Sequence, residues 1–329
     1  MRDPSRPGGF SPLRPSRITQ AVSADTPAEP AHDDAGTSLR LRPLEARDIP
    51  FAMSLKDAER WNQTDADWSE FLSLRPDGCF LAEWDGEPAG TVTTIVHGGA
   101  VGWIGMLLVQ PSFRRRGVAT ALLRRAMESL EGCSVLLDAT PAGREVYLQL
   151  GFRDEARLER RVRPATSSVR PAVAESLGPA LAGHRVRPGT PADLDLVEPL
   201  DAAAFGACRR PLLESWLRRA PRLAFVAEAA GGLSGYVLGR HGSRGDHVGP
   251  LAAVSREAAY ALLDRATRAA AGRPVLLDVF TEDAAWCGHV ESEGFIVERP
   301  FIRMRRGDGP SAPRAACWKL YASAGPEVG

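Results

Sequence analysis

The chain has 329 residues, enough for about two domains of ordinary size. Lys+Arg and Asp+Glu each number 41, and this zero net charge argues against a nucleic-acid binder driven by phosphate neutralisation. No apolar stretch approaches the ~20 residues that a membrane-spanning helix needs, and the five cysteines are scattered without a Cys-x-x-Cys pair, as expected of reduced, packed thiols in a cytoplasmic protein with no metal site.

Residues 1–38 are rich in Pro, Ser, Ala, Asp and Arg and poor in large apolar side chains, so a disordered tail is expected. Leu39-Arg-Leu-Arg-Pro43 alternates as a short strand. Two helices follow, the first opening at Glu45-Ala-Arg-Asp-Ile49 and the second running through Trp68 to Leu74. Between them lies Trp61-Asn-Gln-Thr-Asp-Ala-Asp-Trp68. A strand over 79–84, an Asp85-Gly86 turn and a return strand over 90–96 form a predicted hairpin. Gly98-Gly99 then turns the chain into an apolar strand, 101–109.

Residues 107–123 read Leu-Leu-Val-Gln-Pro-Ser-Phe-Arg-Arg-Arg-Gly-Val-Ala-Thr-Ala-Leu-Leu. Pro111 ends the strand, since it has no N–H to donate. From Val118 the apolar positions Ala119, Leu122, Leu123 and Ala126 recur at helical spacing. This is a strand, a basic glycine turn and a helix N-terminus, whose free N–H groups and dipole favour an anion. A glycine there lets a phosphate approach the backbone closely. Downstream, Val135-Leu-Leu-Asp138 reads as a buried strand, and Thr140-Pro-Ala-Gly leads into a helix ending Tyr147-Leu-Gln-Leu-Gly-Phe152.

Arg114-x-x-Gly117-x-Ala119, with Val109-x-Pro111 before it and Tyr147-x-x-Leu-Gly-Phe152 after it, resembles the signature of the GCN5-related N-acetyltransferases (GNAT). The resemblance implies an α/β (α+β) fold with a mixed, mostly antiparallel sheet flanked by helices. It implies acetyl-CoA as co-substrate and no metal. Leu107, Leu108 and Val109 would face its pantetheine arm. Arg114, Arg115, Arg116, Gly117, Val118, Ala119 and Thr120 would cradle its pyrophosphate. Thr140 stands where the superfamily often has Asn, and Tyr147 would sit near the sulfur.

The stretch from Arg153 to Ala182 is rich in Arg, Pro and Ser and reads as a connection, with the linker placed at 161–183 between domains at 39–160 and 184–329. Beyond it the pattern repeats. Arg42-Pro43 recurs as Arg187-Pro188, Phe80-Leu-Ala-Glu83 as Phe225-Val-Ala-Glu228, and Gly90 as Gly235, all at an offset of 145. Val135 to Asp138 recurs at 275–278, and Gly151-Phe152 at 294–295. So constant an offset marks an internal duplication. The second copy has no Arg-x-x-Gly-x-Ala and no counterpart of Tyr147, so a degenerate GNAT-like domain is expected, with one acetyl-CoA per chain bound by the first.

Direct attack of an amine on the thioester sets the remaining expectations. A lysine-like amine costs roughly 4–5 kcal/mol to deprotonate at pH 7, which a base would offset. Asp138 is the tempting base, although Asp278 repeats it in the copy without a cradle, which suggests a structural role. Tyr147 is the expected acid toward the CoA thiolate, whose pKa lies near about 8–9 by analogy with cysteine. Trp61, Asn62, Thr64, Asp65 and Asp67 have no counterpart in the second copy and are expected to contact the acceptor. The acceptor is expected to be a small-molecule primary amine, with no nucleic acid or membrane partner. A protein N-acetyltransferase, or an acetyl-CoA sensor without turnover, stays open.

Overall fold

The computed structural model describes residues 38–165, 183–270, 272–308 and 318–329. The expected tail lies outside these, except Ser38, and so does most of the expected linker. The first half runs β1 (Leu39–Pro43), α1 (Ile49–Ala58), α2 (Asp65–Leu74), β2 (Phe80–Trp84), β3 (Glu87–His97), β4 (Val101–Val109), α3 (Val118–Ser129), β5 (Ser134–Ala139), α4 (Pro141–Gln149) and β6 (Arg153–Arg163). The second half repeats that order as β7 (Arg185–Pro188), α5 (Leu194–Phe205), α6 (Arg210–Arg219), β8 (Phe225–Ala229), β9 (Gly232–His241), β10 (Asp246–Ala253), α7 (Arg256–Ala269), β11 (Val275–Phe280), α8 (Ala284–Ser292) and β12 (Ile296–Arg306), and adds β13 (Lys319–Ser323).

Local chemistry explains the repeated islands. Asp85 and Gly86 both take positive φ, as the tight turn between β2 and β3 requires. Arg42 donates from Nε to Glu83 at 2.7 Å and from both terminal nitrogens to Asp48 at 2.7 and 2.8 Å. Arg187 repeats this fork on Glu228 and Asp193. The recurring Arg-Pro and Glu residues thus pin the first strand of each half to the helix entry behind it.

The strands form one sheet, in the order β1-β2-β3-β4-β5-β12-β6-β11-β13-β10-β9-β8-β7. Its centre is an exchange. β6 leaves the first half and pairs with β11, while β12 leaves the second half and pairs with β5. The two exchanged strands pair with each other, Phe301 opposite Leu158. This corrects the expected connection, because Arg153 to Arg163 is a strand and not a linker. The arginine content hid it. Arg160 is buried and forks onto Asp278 of β11 at 2.7 and 2.8 Å. Arg303 of β12 forks in the same way onto Asp138 of β5 at 2.8 and 2.9 Å. A buried charge is tolerated when paired and hydrogen-bonded.

Apolar side chains gather in one core shared by the halves and one core private to each. The shared core joins Trp68 and Phe71 of α2, Trp103 of β4, Phe205 of α5, Trp216 of α6 and Val328. α3 packs the first private core through Val118, Leu122, Leu123 and Ala126, and α7 and α8 pack the second. Among the described residues no helix is long and apolar enough to cross a membrane.

Candidate active site

β4 and β5 are parallel and pair from Val101–Ser134 to Trp103–Leu136, then diverge. On its other side β4 stays bonded to β3, but the register slips between Thr91 and Thr93. Met106 sits in that bulge with φ 47°, a left-handed conformation that costs a non-glycine residue about 1–2 kcal/mol. The Thr91 hydroxyl donates to the Met106 carbonyl at 3.0 Å and braces it. The edge of β4 beyond Trp103 therefore faces a wedge. The cleft there holds about 610 Å³ of space, part of it open to solvent. Ile104, Gly105, Met106 and Leu107 line it from β4, Leu137 and Asp138 from β5, and Thr140 and Tyr147 from the following turn and α4.

The basic turn follows β4 and leads into α3. Arg115 has φ 62° and Gly117 φ 84°. Gly117 is the residue before α3 and supplies no side-chain cap, and the first helical bond runs from the Ala121 N–H to the Gly117 carbonyl at 3.0 Å. No atom lies within 4 Å of where a Gly117 Cβ would stand. Space is thus open beside Gly117, and the first N–H groups of α3 have no acceptor within the helix, as a pyrophosphate cradle needs. Arg114 is partly spent on the turn itself, donating to the Val109 carbonyl at 3.0 Å and to Glu59 at 2.5 Å. The Arg116 guanidinium lies 5.4 Å from the Trp84 ring centre. Arg115 is exposed.

The Tyr147 ring lies edge-on to Phe152, 5.9 Å between centres. Its hydroxyl has no hydrogen-bond partner among the described residues, and burial pushes its pKa up to about 12. The Thr140 hydroxyl caps α4 by accepting from the Gly143 N–H at 3.4 Å.

A family model for the acetyltransferase (GNAT) family matches residues 44–152, and one for the acetyltransferase (GNAT) domain matches 197–321. The chain belongs to the GCN5-related N-acetyltransferases, in their tandem form. Members transfer an acyl group, with acetyl-CoA as co-substrate. No curated protein matches the chain. A solved structure from Pyrococcus horikoshii, described as a candidate acetyltransferase, is 24% identical with a TM-score of 0.70, covering 92% of this chain and 100% of its own. A tandem GNAT protein from the clavulanic acid biosynthesis pathway is 18% identical with a TM-score of 0.58, covering 83% and 100%. A GCN5-related N-acetyltransferase from Sphaerobacter thermophilus is 16% identical with a TM-score of 0.56, covering 83% and 96%. At these identities the likeness is one of fold.

On this GNAT frame, Trp61 lines the cleft but its expected companions do not. The Asn62 side chain is buried against the second half, where its oxygen accepts from the Arg244 and Gly245 N–H groups at 2.8 and 3.2 Å. Thr64 caps α2, with Asp67 reaching back to the Thr64 N–H at 2.8 Å. Burial would raise the Asp67 carboxyl, but Arg240 and Arg219 hold it below its ordinary range, at 2.9 and 2.7 Å. Asp65 is exposed in the first turn of α2. Asn62 and Asp67 thus brace the halves together, and Thr64 holds the helix start that carries Asp67. Sequence reasoning missed Gln63, Arg160, Arg299, Phe301 and Pro326, all of which line the cleft. Gln63 stood in the right stretch. The others reach the cleft by strand exchange and from the segment after β13, which no local pattern signals.

Proposed function

We propose that the first half transfers an acetyl group from acetyl-CoA to a small-molecule primary amine by direct attack on the thioester. The observation that carries this reading is the open wedge between β4 and β5, which holds a free tyrosine hydroxyl and is followed along the chain by an uncapped glycine turn. Acetyl-CoA would supply an activated acyl group on a thiolate leaving group. The N–H groups of residues 115–120 would hold its pyrophosphate, and the free edge of residues 107–109 its pantetheine amides. Tyr147 keeps its proton throughout the neutral range and can donate a hydrogen bond to the departing thiolate as charge develops on it, while the proton released by the attacking amine goes to water.

Asp138 is reassigned from base to structural partner. It is the one carboxylate among the described residues that line the cleft, and both its oxygens already accept from Arg303. Without a free carboxylate, the amine would lose its proton to water in the cleft. Turnover should then rise tenfold per pH unit until the acceptor's own pKa is reached, with no enzyme group setting an earlier plateau. CoA release measured against a panel of amines tests the reading. Saturable acetyl-CoA binding with no amine-dependent release would leave a sensor in its place.

A further inference from the structure

Two cleft residues hold unused polar capacity of opposite kinds. Gln63 is 1% exposed, and its side-chain oxygen has no hydrogen-bond partner. A buried carbonyl oxygen left unpaired costs about 1–3 kcal/mol, so this one asks for an N–H donor. Arg299 is the opposite case. It makes no hydrogen bond among the described residues, and its nearest acid is Glu298, 3.6 Å away. Glu298 is itself engaged by Arg244 at 2.5 and 3.3 Å. The other charges of the cleft are closed pairs, Arg160 with Asp278 and Asp138 with Arg303. The Arg299 guanidinium is the cation left over. Burial, with Arg160 and Arg244 nearby, lowers its pKa from the ordinary value, the sign of a charge short of counter-charge.

Symmetry gives Arg299 no structural excuse. The offset that relates Arg303 to Arg160 relates Arg299 to Ala156, so the exchanged strand of the first half manages without an arginine there. Trp61 and Phe301 supply apolar surface in the same cleft.

We infer that the acceptor carries an oxyanion, a carboxylate or a phosphoryl group, on the same small molecule as its amine, with Arg299 receiving the anion and Gln63 the amine N–H. This rests on the transfer reading above. A guanidinium fork suits either oxyanion, and the hydrocarbon between amine and anion would lie on Trp61 and Phe301. Free amino acids and phosphoryl-bearing amines are the two sources.

The test uses the full chain with saturating CoA and needs no turnover. Calorimetry would compare the N-acetylated forms of the twenty amino acids with their neutral carboxamides, and N-acetyl-phosphoethanolamine with N-acetyl-ethanolamine. At least one acid should bind about 10- to 100-fold more tightly than its neutral partner, the fold-change of one charge-assisted hydrogen bond. Arg299→Gln should bring that ratio near one. Gln63→Leu should weaken acid and neutral forms alike and leave the ratio. CoA affinity should not move in either variant. Which arm binds identifies the oxyanion. Neutral partners binding as well as acids, a ratio that survives Arg299→Gln, or CoA binding with no acid bound, each overturns the inference. A second readout, CoA release from acetyl-CoA with the matching free amines, separates the two readings. Release with neutral amines alone sinks the oxyanion site and keeps the transfer, whereas a standing acid ratio without any release keeps the site and sinks the transfer.

Discussion

In the first half, β4 and β5 part after Trp103 and Leu136 and the wedge between them stays open. In the second half, β10 and β11 part after His247 and Leu276, and β13 enters the wedge. It bonds to β10 at residues 251–253 and to β11 at Asp278 and Val279. The helix starts differ in the same sense. α3 opens on uncapped Gly117, whereas α7 opens on Ser255, whose hydroxyl accepts from the Ala258 N–H at 3.2 Å. Arg256 beside it is turned onto Asp283 at 2.9 Å. Both halves thus face one problem, a strand edge and a helix start with free backbone groups. The second half solves it with its own chain. The first leaves both open. After closing the second wedge, the chain goes on to line the first, where the Trp103 indole N–H donates to the Pro326 carbonyl at 3.0 Å.

The largest expected effect breaks the open half outright. Gly117→Glu should cost acetyl-CoA at least about 100-fold in affinity, because an anion then projects into the space where pyrophosphate must lie. The positive φ adds about 1–2 kcal/mol of backbone strain, so Gly117→Asn, which tolerates that conformation, is the control. Unchanged acetyl-CoA affinity in Gly117→Glu by calorimetry would sink the cradle, and equal losses in both variants would assign the effect to the added side chain and not to its charge.

Asp138→Asn and Asp278→Asn act on stability and not on binding, and probe what the halves share. Each removes the charge of a buried pair across the exchange and should destabilise by about 3–5 kcal/mol. The two losses should match in denaturant melts, and turnover per folded molecule should survive both. A collapse of kcat confined to Asp138→Asn would restore that residue as the base.

The repeat made half of this symmetry legible beforehand. Asp278 standing where Asp138 stands already pointed to structure, and the glycine turn before α3 and the helix carrying Tyr147 were readable because both are local patterns. The exchange was not readable. Arg160 finds its acid 118 positions away, and Asn62 braces a loop 183 positions away. Periodicity reports which face of an element is buried, not which strand lies beside it. An arginine-rich strand defeats even that, because its buried positions carry charge. Of the stretch expected to meet the acceptor, Trp61 and Gln63 line the cleft, whereas Asn62 and Asp67 bond to the second half and Thr64 caps α2.

Tyr147→Phe sharpens the comparison within the cleft. The second half has no tyrosine at the matching position, so the acid is expected to belong to the open wedge alone. Turnover should fall by about 100-fold, the usual range for losing a general acid, with acetyl-CoA affinity unchanged. Because burial pushes Tyr147 up to about 12, its proton is held across the neutral and mildly alkaline range. The alkaline limb of the wild-type profile should therefore show no loss below pH 10. A falling limb near pH 8–9 that vanishes in Tyr147→Phe would mean the phenol ionises far more readily than its surroundings allow.

The smallest expected effect is the most discriminating between the halves. Ser255→Gly removes the hydroxyl that caps α7 and makes the start of that helix look like that of α3. A glycine in place of a serine at a helix cap costs only a few tenths of a kcal/mol, so the fold should stand. If an uncapped helix start were enough to hold a pyrophosphate, a second acetyl-CoA should now bind. It should not, because β13 still occupies the wedge through which the pantetheine arm would run, bonded to β10 on one side and β11 on the other. Equilibrium titration should give one acetyl-CoA per chain before and after the change, and none when Gly117→Glu is added. A stoichiometry of two in Ser255→Gly would locate the difference between the halves in the cap and not in the strand that fills the gap.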